Sequence, residues 1–503
     1  MLPRRSWSLL WLVLLLGCGG AASSPPGDDY ESHPAPIVVD GAGGDWAEVP
    51  LRHADRGDGD GLALERLWMA HDARRLYLRL ELNRPVNLHE DNNLTLHLDL
   101  DNDPSTGTPA RGLGAEARWT FGARTGRAGG ARIGPTALGL HALPTVRADV
   151  FEIALDRSAR PAGRPLIRGD SLRVAWSTAG DRLPDAGGLG YVLTDSARTA
   201  TAPTLRRPPA ADVRVLSYNA VNNFEAERNA IFEARRQPHY RRILRATAPD
   251  VVALQEVYDQ TAAAVERVAE GPLGLPDAWH WTKRGADLVV GSRFPIEAAR
   301  ALPGYEDVRS AAVLLDARPA LGRHLLVVVM HPPCCNRPAD GGTPSRNEQR
   351  QRVVDGVAAV LAAVTAGEGP FPVPPGTPIA VVGDMNFVGD PQQPRTLRTG
   401  AVVHTDRFGA GGPPDWDGSG LRDVNPRQTG APLHTTWIDS TSAYPPGRLD
   451  YAYVSDSVVD VPHAFVLRTA TLSARQRERF GLRAADTGIA SDHLPVVIDL
   501  AGP

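Results

Sequence analysis

The chain has 503 residues, of which 42% are hydrophobic and 22% are charged, and its formal net charge is −4. This composition is typical of a globular protein with a sizeable core, and it excludes wholesale disorder. The slightly acidic balance excludes a global positive field that would attract nucleic acid or a membrane surface. The length predicts about two to four domains.

The first eighteen residues predict an export signal. A pair of arginines precedes the apolar stretch 9–16, which is too short to span a bilayer. The segment LLGC, Leu15 to Cys18, resembles the lipobox of bacterial lipoproteins. This resemblance implies a lipid on Cys18 and an anchor in a bacterial membrane, with the outer membrane favoured. The alternative is an ordinary signal peptide, cleaved within 19–24, and a secreted protein.

Residues 19–35 are rich in Gly, Ala, Ser and Pro, and they predict a tether to the first domain. The chain has only three cysteines, so it has neither a disulfide framework nor a CxxC metal knuckle. If Cys18 carries a lipid, Cys334 and Cys335 remain as neighbours. In an oxidising compartment they either close a strained vicinal disulfide or stay as two free thiols.

Short alternating segments fill residues 36–200. In LYLRLEL, Leu76 to Leu82, apolar residues alternate with Arg79 and Glu81, which is the period-2 pattern of a half-buried strand. Several such segments, separated by Gly, Pro and Asp, predict a separate all-β sandwich domain with antiparallel strands.

This segment resembles the carbohydrate-binding β-sandwiches of family 9 and of DOMON-related proteins. The resemblance rests on VDGAGGDW at Val39 to Trp46, LYL at Leu76 to Leu78 and LDLDNDPSTG at Leu98 to Gly107. It implies that the domain binds a glycan. The alternative is a domain that acts only as a spacer.

Three aspartates stand at alternate positions after one of these strands. Asp99, Asp101 and Asp103 either supply oxygen ligands to a calcium ion or form an acidic turn that ends the strand. The spacing of an EF-hand is absent, and this favours the acidic turn.

Residues 201–212 are polar and interrupted by proline, which predicts a linker. From 213 to 501, apolar strand-like segments alternate with helices predicted at 226–248, 259–270 and 346–366. This alternation predicts an α/β domain whose strands are buried on both faces.

Polar residues close six apolar segments of this second domain. Taken singly, each has an ordinary structural interpretation, because Gly, Asp and Asn are common in turns. Ligands of α/β sheets gather at strand ends, so we expect these side chains to form one site. The set consists of Asn219, Glu256, His331, Asp384 with Asn386, Asp450, and Asp492 with His493.

The motifs LSYNA, LQEV, VMHPP, GDMN, RLDY and SDHLPV follow the order of the endonuclease/exonuclease/phosphatase superfamily, which residues 213–501 resemble. That superfamily includes pancreatic-type deoxyribonucleases, abasic-site endonucleases, neutral sphingomyelinases and inositol polyphosphate phosphatases. The resemblance implies a metal-dependent hydrolase of phosphoester bonds. It also implies an α/β (α+β) four-layer sandwich of two facing mixed sheets flanked by helices.

The resemblance implies a role for each motif residue. Glu256 would be the principal metal carboxylate, and Asn219 and Asp492 would complete the metal shell. His493 would act as a general base on water or bind the phosphate, and Asp450 would orient its imidazole.

The remaining motif residues would act on the nucleophile and the phosphate. Asp384 and Asn386 would position both. His331 resembles the second histidine of the deoxyribonuclease and sphingomyelinase branches, where it would act as an acid. A glutamate pairs with that histidine in the deoxyribonuclease branch, and WTKRGADLVV, Trp281 to Val290, contains none.

Elementary chemistry agrees with these roles. A phosphodiester is an anion that repels hydroxide, and a hard divalent cation neutralises that charge. The oxygen-rich residues favour Mg²⁺, Mn²⁺ or Ca²⁺ over zinc. A histidine with a pKa near neutrality can take a proton from water. Arg309 is either a bidentate phosphate clamp or a surface arginine.

Three hypotheses for the function follow. We favour an exported, metal-dependent phosphodiesterase that is nuclease-like and acts on DNA or RNA. The second hypothesis is a phosphoesterase for phospholipid, sphingomyelin or inositol phosphate. The third is a non-catalytic, glycan-binding surface protein, and the presence of every motif residue argues against it.

Overall fold

The computed structural model describes residues 30–502, with the exceptions of 56–60, 164, 168, 196–198, 224–227 and 307. The predicted signal peptide, Cys18 and most of the predicted tether therefore lie outside the described residues. Among the helices of the described part, none has the length and apolarity that crossing a membrane requires.

The N-terminal region consists of short strands, as the alternating pattern predicts. The strands are β1 (Leu51–Ala54), β2 (Leu64–His71), β3 (Arg75–Val86), β4 (Thr95–Asp99), β5 (Thr108–Ala110), β6 (Leu113–Ala115), β7 (Ala117–Thr120), β8 (Thr125–Ala128), β9 (Ala131–Ile133), β10 (His141–Leu143), β11 (Ala148–Asp156), β12 (Ser171–Ser177), β13 (Arg182–Leu183) and β14 (Leu189–Val192).

Two antiparallel sheets of this region stack face to face. One has the order β1-β2-β3-β11-β10, and the other has the order β13-β12-β4-β7-β8-β9, with β14 also paired to β12. Alternate residues such as Leu78 and Leu80 of β3 and Leu96 and Leu98 of β4 fill the core between the sheets. The prediction of an all-β N-terminal region is confirmed.

From Val213 onward, strands alternate with helices. The strands are β15 (Val213–Asn219), β16 (Asn222–Asn223), β17 (Arg228–Asn229), β18 (Val251–Gln255), β19 (His280–Arg284), β20 (Leu288–Ser292), β21 (Ile296–Ala301), β22 (Ser310–Leu315), β23 (Leu325–Met330), β24 (Ile379–Asp384), β25 (Arg422–Asp423), β26 (Asp450–Val454), β27 (Asp460–Val466) and β28 (Val496–Ala501). The helices are α1 (Gln237–Thr247), α2 (Ala262–Glu270), α3 (Arg318–Leu321), α4 (Arg346–Thr365), α5 (Gln392–Thr399), α6 (Thr405–Phe408), α7 (Ala474–Phe480) and α8 (Asp486–Ala490).

The predicted helices are present, and their first residues follow from local chemistry. Thr261 and Ser345 cap α2 and α4, because each hydroxyl accepts a hydrogen bond from a backbone N–H of the first turn. The first helix begins at Gln237, later than predicted, because β17 pairs with β16 just before it. Pro238 then lies in its first turn, where its missing N–H costs nothing.

Four layers form this second domain. Its two six-stranded sheets have the orders β19-β20-β18-β15-β28-β27 and β21-β22-β23-β24-β26-β25. Their inner faces share one core, which contains Val215 and Ile498 of the first sheet and Val327 and Val382 of the second. Helices α1 and α2 cover the outer face of the first sheet, and α4 and α5 cover that of the second. The predicted four-layer sandwich of two mixed sheets flanked by helices is confirmed.

A buried ion pair joins β15 to β28. Nε and Nη2 of Arg214 each donate a hydrogen bond of 2.7 Å to the Asp499 carboxylate, and both side chains are buried. We expect Arg214→Met to lower the free energy of unfolding by about 3–5 kcal/mol, because it leaves a buried carboxylate without its guanidinium. Urea denaturation measures this loss.

Arg318→Met is the matched control, since Arg318 is 56% exposed and pairs with Asp316 at the surface. Its loss should be about 0–1 kcal/mol. Equal losses in the two variants would contradict the importance of the buried pair.

Candidate active site

The strand directions bring the predicted site residues to one edge of the two sheets. Strands β15 and β18 are parallel, so Asn219 and Glu256 lie at adjacent strand ends. Strand β28 runs antiparallel to β15, so His493, just before it, reaches the same edge. In the second sheet β24 pairs antiparallel with β26, and Asp384 stands directly opposite Asp450.

His493 and Asp450 form a buried imidazole–carboxylate pair between the two sheets. Nδ1 of His493 lies 2.8 Å from Oδ2 of Asp450. Burial lowers the pKa of His493, but the carboxylates of Asp450 and Asp384 outweigh burial and raise this pKa well above its usual value. The two carboxylates therefore favour the protonated form of the imidazole.

His331 forms a second pair of the same kind, and its partner is Asp287. Nδ1 of His331 makes a short hydrogen bond with Oδ2 of Asp287, whose side chain is fully buried. Burial lowers the pKa of His331, but Asp287 outweighs burial and raises this pKa to about 9. Burial raises the pKa of Asp287, yet the net effect of His331 and its other partners is to lower that pKa.

Sequence reasoning missed Asp287. The resemblance implies a glutamate as the partner of His331, and the carboxylate that pairs with His331 is instead an aspartate of the segment Trp281 to Val290. An aspartate is one methylene shorter, and Asp287 reaches the imidazole because it directly precedes the buried strand β20. Asp287 is the only acidic residue of this segment, so the sequence itself contained the signal.

Asp384 lies between the two imidazoles. Its Oδ2 is 3.5 Å from Nε2 of His331 and 3.7 Å from Nε2 of His493. The side-chain amides of Asn219 and Asn386 donate to the same oxygen at 3.0 and 3.1 Å. Burial raises the pKa of Asp384 to about 6. Carboxylate oxygens of Asp384 and Asp450 and a ring nitrogen of His493 lie within 4.8 Å of one another.

The backbone before Asp384 explains the glycine of the GDMN motif. Gly383 has a φ of 145°, and a Cβ at this position would lie 2.0 Å from the carbonyl oxygen of Met330. A side chain there would push β24 away from β23. Gly383 therefore permits the close strand pairing that brings Asp384 next to His331.

Two hydrogen bonds hold Glu256 at the site in a strained backbone conformation. Its φ is 63°, which is uncommon for a residue with a side chain and is typical of functional positions. Nδ2 of Asn219 donates to Oε1 at 3.1 Å, and the backbone N–H of Asn222 donates to Oε2 at 2.8 Å. Asp492 accepts a hydrogen bond of 3.1 Å from the indole of Trp437.

These oxygen donors fit a hard divalent cation. Glu256 and Asp492 offer carboxylates at the same pocket. The amide nitrogen of the buried Asn219 donates to Glu256, and its oxygen accepts a hydrogen bond of 3.0 Å from the backbone N–H of Val221, so Asn219 orients the carboxylate. Such donors suit Mg²⁺, Mn²⁺ or Ca²⁺ better than zinc.

Arg309 and Tyr258 line the same pocket, and sequence reasoning had not identified Tyr258. Nη1 of Arg309 lies 3.3 Å from the hydroxyl of Tyr258. This places the guanidinium predicted as a phosphate clamp at the pocket wall rather than on an unrelated surface. The pocket has a volume of about 460 Å³.

The N-terminal sandwich forms one wall of this pocket, through Asn87, His89, Glu90 and Thr145. Glu90 accepts hydrogen bonds from Asn336 at 2.8 Å and from the hydroxyl of Tyr444 at 3.2 Å. The hydroxyl of Thr145 donates to the backbone oxygen of Phe387 at 2.7 Å, directly after Asn386. No sequence pattern indicated that the two domains share this pocket.

Cys334 and Cys335 lie at the rim of the pocket as free, exposed thiols. Their sulfur atoms are 2.7 Å apart, and the Cys335 backbone has a φ of 66°. Hydrogen bonding to Cys334 lowers the pKa of the Cys335 thiol to about 7.

Comparison with known families decides what kind of protein carries this geometry. The model of the Endonuclease/Exonuclease/phosphatase family matches residues 235–493, slightly more than half of the chain. The chain belongs to the Endonuclease/Exonuclease/phosphatase family. It is a divalent-metal-dependent phosphoester hydrolase, and the expected resemblance of residues 213–501 to this superfamily is confirmed. A search of curated proteins finds no match.

Solved structures with a similar arrangement share little sequence with this chain. TDP2 of D. rerio, in complex with a single strand DNA product, is 14% identical over 57% of this chain and 98% of its own, with a TM-score of 0.35. ANGEL2, a 2′,3′-cyclic phosphatase, is 15% identical over 57% and 94%, with a TM-score of 0.36. The beta toxin of Staphylococcus aureus is 12% identical over 57% and 99%, with a TM-score of 0.34.

The hydrogen bond between His331 and Asp287 predicts that a substitution of Asp287 alters both the rate and its dependence on pH. We expect Asp287→Asn to lower kcat for phosphoester hydrolysis about 10²-fold, because the imidazole loses the carboxylate that orients it and keeps it protonated. The pKa of His331 should fall, so activity that needs its proton should be lost at a lower pH than in the wild type. A pH–rate profile measures both effects.

Asp277→Asn is the matched control, because Asp277 is exposed and lies outside the pocket. It should leave kcat and the profile unchanged. A wild-type profile for Asp287→Asn would show that His331 acts without its carboxylate.

Proposed function

We propose that the protein is an exported phosphodiesterase, nuclease-like in its substrates, that hydrolyses phosphoester bonds by attack of water. The observation that carries this proposal is the pair of buried imidazole–carboxylate units on either side of Asp384. Two such units can serve as the base and the acid of one hydrolysis. Export, and a lipid on Cys18 at a bacterial membrane, rest on the N-terminal sequence, and the mass of the mature N-terminus would test them.

The metal side of the site has its own residues. Glu256 and Asp492 would hold the divalent cation, with Mg²⁺ or Mn²⁺ proposed, and the amide of Asn219 would orient Glu256 beside it. When bound, such an ion neutralises phosphate charge and polarises the phosphoryl oxygen. Arg309 binds a second phosphate oxygen, and its planar guanidinium can do so in a bidentate way.

The two histidines divide the proton transfers. His493 takes a proton from the attacking water, and Asp450 stabilises the imidazolium that forms. His331 gives its proton to the departing oxygen, a role that the raised pKa of about 9 supports. Asp384 and Asn386 orient the water and the phosphate between the two rings. His493 can act as a base once positive charge at the site offsets the carboxylates that raise its pKa.

The shape of the pocket limits which substrates can reach the catalytic histidines. Both catalytic histidines are only 5% exposed, and the sandwich walls one side of the pocket. A phosphate must therefore enter a recess. The end of a nucleic-acid chain, a single-stranded nucleic acid or a small phosphodiester does so more readily than the middle of a duplex. The volume of about 460 Å³ is in the range of small-ligand sites.

A neighbouring cavity favours an extended anionic substrate. It has a volume of about 790 Å³ and shares Asn87, Glu90 and Tyr444 with the catalytic pocket. Four arginines and three carboxylates line it. Arg147 and Asp390 pair with each other at 3.6 Å, and the other three arginines outnumber the other two carboxylates, which suits an anionic substrate. The arginines are Arg84, Arg124, Arg147 and Arg337, and the carboxylates are Glu90, Asp91 and Asp390.

A compact head group would also fit the recess, so phospholipid, sphingomyelin or inositol phosphate remains the second candidate. A panel of phosphoesters assayed side by side separates the candidates. We expect hydrolysis of a single-stranded oligonucleotide and of bis(p-nitrophenyl) phosphate, with closed circular duplex DNA cleaved at least tenfold more slowly. EDTA should abolish the activity, and Mg²⁺ or Mn²⁺ should restore it.

Each other outcome of the panel has a definite meaning. Turnover of vesicle lipids or inositol phosphate alone would replace the nuclease-like proposal with the second candidate. Full activity in EDTA would contradict the metal role of Glu256. Silence with every phosphoester and every divalent metal would favour a glycan-binding surface protein, which a glycan array on the full chain would then test.

A further inference from the structure

A second group of carboxylates lies in the N-terminal sandwich, outside the catalytic pocket. Asp99 ends β4, Asp101 lies in the following loop, and Glu116 stands between β6 and β7. One carboxylate oxygen from each lies within 4.8 Å of those of the other two. The sequence predicted that Asp99, Asp101 and Asp103 could share a cation. In the structure Glu116, and not Asp103, lies beside Asp99 and Asp101.

Asp103 has a different role in the loop. Its Oδ1 accepts hydrogen bonds from the backbone N–H and the hydroxyl of Ser105, at 2.9 and 2.6 Å. These bonds form a turn of the kind that aspartate commonly starts. The expectation of an acidic turn therefore holds for Asp103 and does not explain the other two aspartates.

Asp99 is the residue that points to a ligand. It is 0% exposed, and neither of its carboxylate oxygens accepts a hydrogen bond of good geometry in the described part of the chain. A buried carboxylate is costly unless it is paired or coordinates a metal. Burial raises the pKa of Asp99 and the negative charge of Glu116 adds to the rise, while the nearby backbone N–H groups of Asn102 and Asp101 offset only part of it.

Neighbouring groups hold the other two carboxylates beside Asp99. The backbone N–H of Leu100 donates to Oε2 of Glu116 at 2.8 Å. The hydroxyl of Thr106 lies 3.0 Å from Oδ1 of Asp101 and 2.8 Å from Oε1 of Glu116. The three carboxylates therefore converge, although their charges repel one another.

The spacing suits one cation. Calcium–oxygen bonds are about 2.4 Å long, so two ligands on opposite sides of the ion stand about 4.8 Å apart. Calcium also accepts irregular sets of oxygen ligands and does not need an EF-hand. We propose that Asp99, Asp101 and Glu116 bind a calcium ion, which fixes loop 100–107 to the edge of the sandwich.

The test measures the melting temperature of the full chain, stripped with EDTA, supplied with excess Mg²⁺ to fill the catalytic site, and then titrated with CaCl₂. At 100-fold the dissociation constant we expect a rise of roughly 5 °C or more. Asp99→Asn should lose this rise and keep metal-dependent phosphoester hydrolysis, because none of the three carboxylates lines the catalytic pocket. Glu256→Gln, altered in the catalytic metal shell, should keep the rise.

The opposite pattern overturns the proposal. A wild-type chain that does not respond to calcium, a rise that Asp99→Asn keeps, or a rise that Glu256→Gln loses would each do so. If Asp99→Asn does not fold, Asp101→Asn replaces it, since Asp101 is exposed. That variant should weaken the calcium dissociation constant at least tenfold in titration calorimetry, and an unchanged constant would overturn the site.

Discussion

The contact between His493 and Asp450 joins the two sheets of the catalytic domain. His493 comes from the strand entry of one sheet, and Asp450 opens a strand of the other. In the second pair the two sheets exchange roles. The aspartate, Asp287, precedes a strand of the first sheet, and the histidine, His331, follows a strand of the second. The catalytic groups therefore meet only when the two sheets stack over their shared apolar core.

This construction concentrates negative charge where burial makes it costly. Asp287, Asp384 and Asp450 are almost completely removed from water, and Glu256 and Asp492 lie close by. Amides of Asn219 and Asn386 and the two imidazoles offset part of that charge. The oxygen donors that remain explain why a hydrolase of this family needs a divalent cation, because an anionic phosphate could not otherwise approach.

The sequence was informative about what local chemistry determines. Polar residues at the ends of apolar strands predicted the catalytic edge, because strand direction brings such ends together. The helix caps Thr261 and Ser345 lie where the predicted helices begin. Asp287 was not predicted because the expected partner was a glutamate, and the reach of a side chain depends on how two sheets stack rather than on local sequence.

Contacts between distant segments could not be predicted from the sequence. Glu90 meets Tyr444 and Asn336, and Thr145 meets Phe387, across more than two hundred residues of chain. Such contacts follow from the docking of the sandwich on the catalytic domain, which leaves no local pattern. The same reason explains Glu116, which joins Asp99 because β4 and β7 are paired.

The proposed mechanism depends on His493, which removes the proton from the attacking water. The most direct measurement is kcat of His493→Ala on bis(p-nitrophenyl) phosphate with saturating Mg²⁺, beside His324→Ala, whose histidine pairs with Glu297 outside the pocket. We expect a loss of about 10²–10⁴-fold for His493→Ala and an unchanged rate for His324→Ala, both assayed at a temperature where circular dichroism shows that the variants are folded. A His493→Ala enzyme that hydrolyses the substrate at a near wild-type rate would contradict this mechanism.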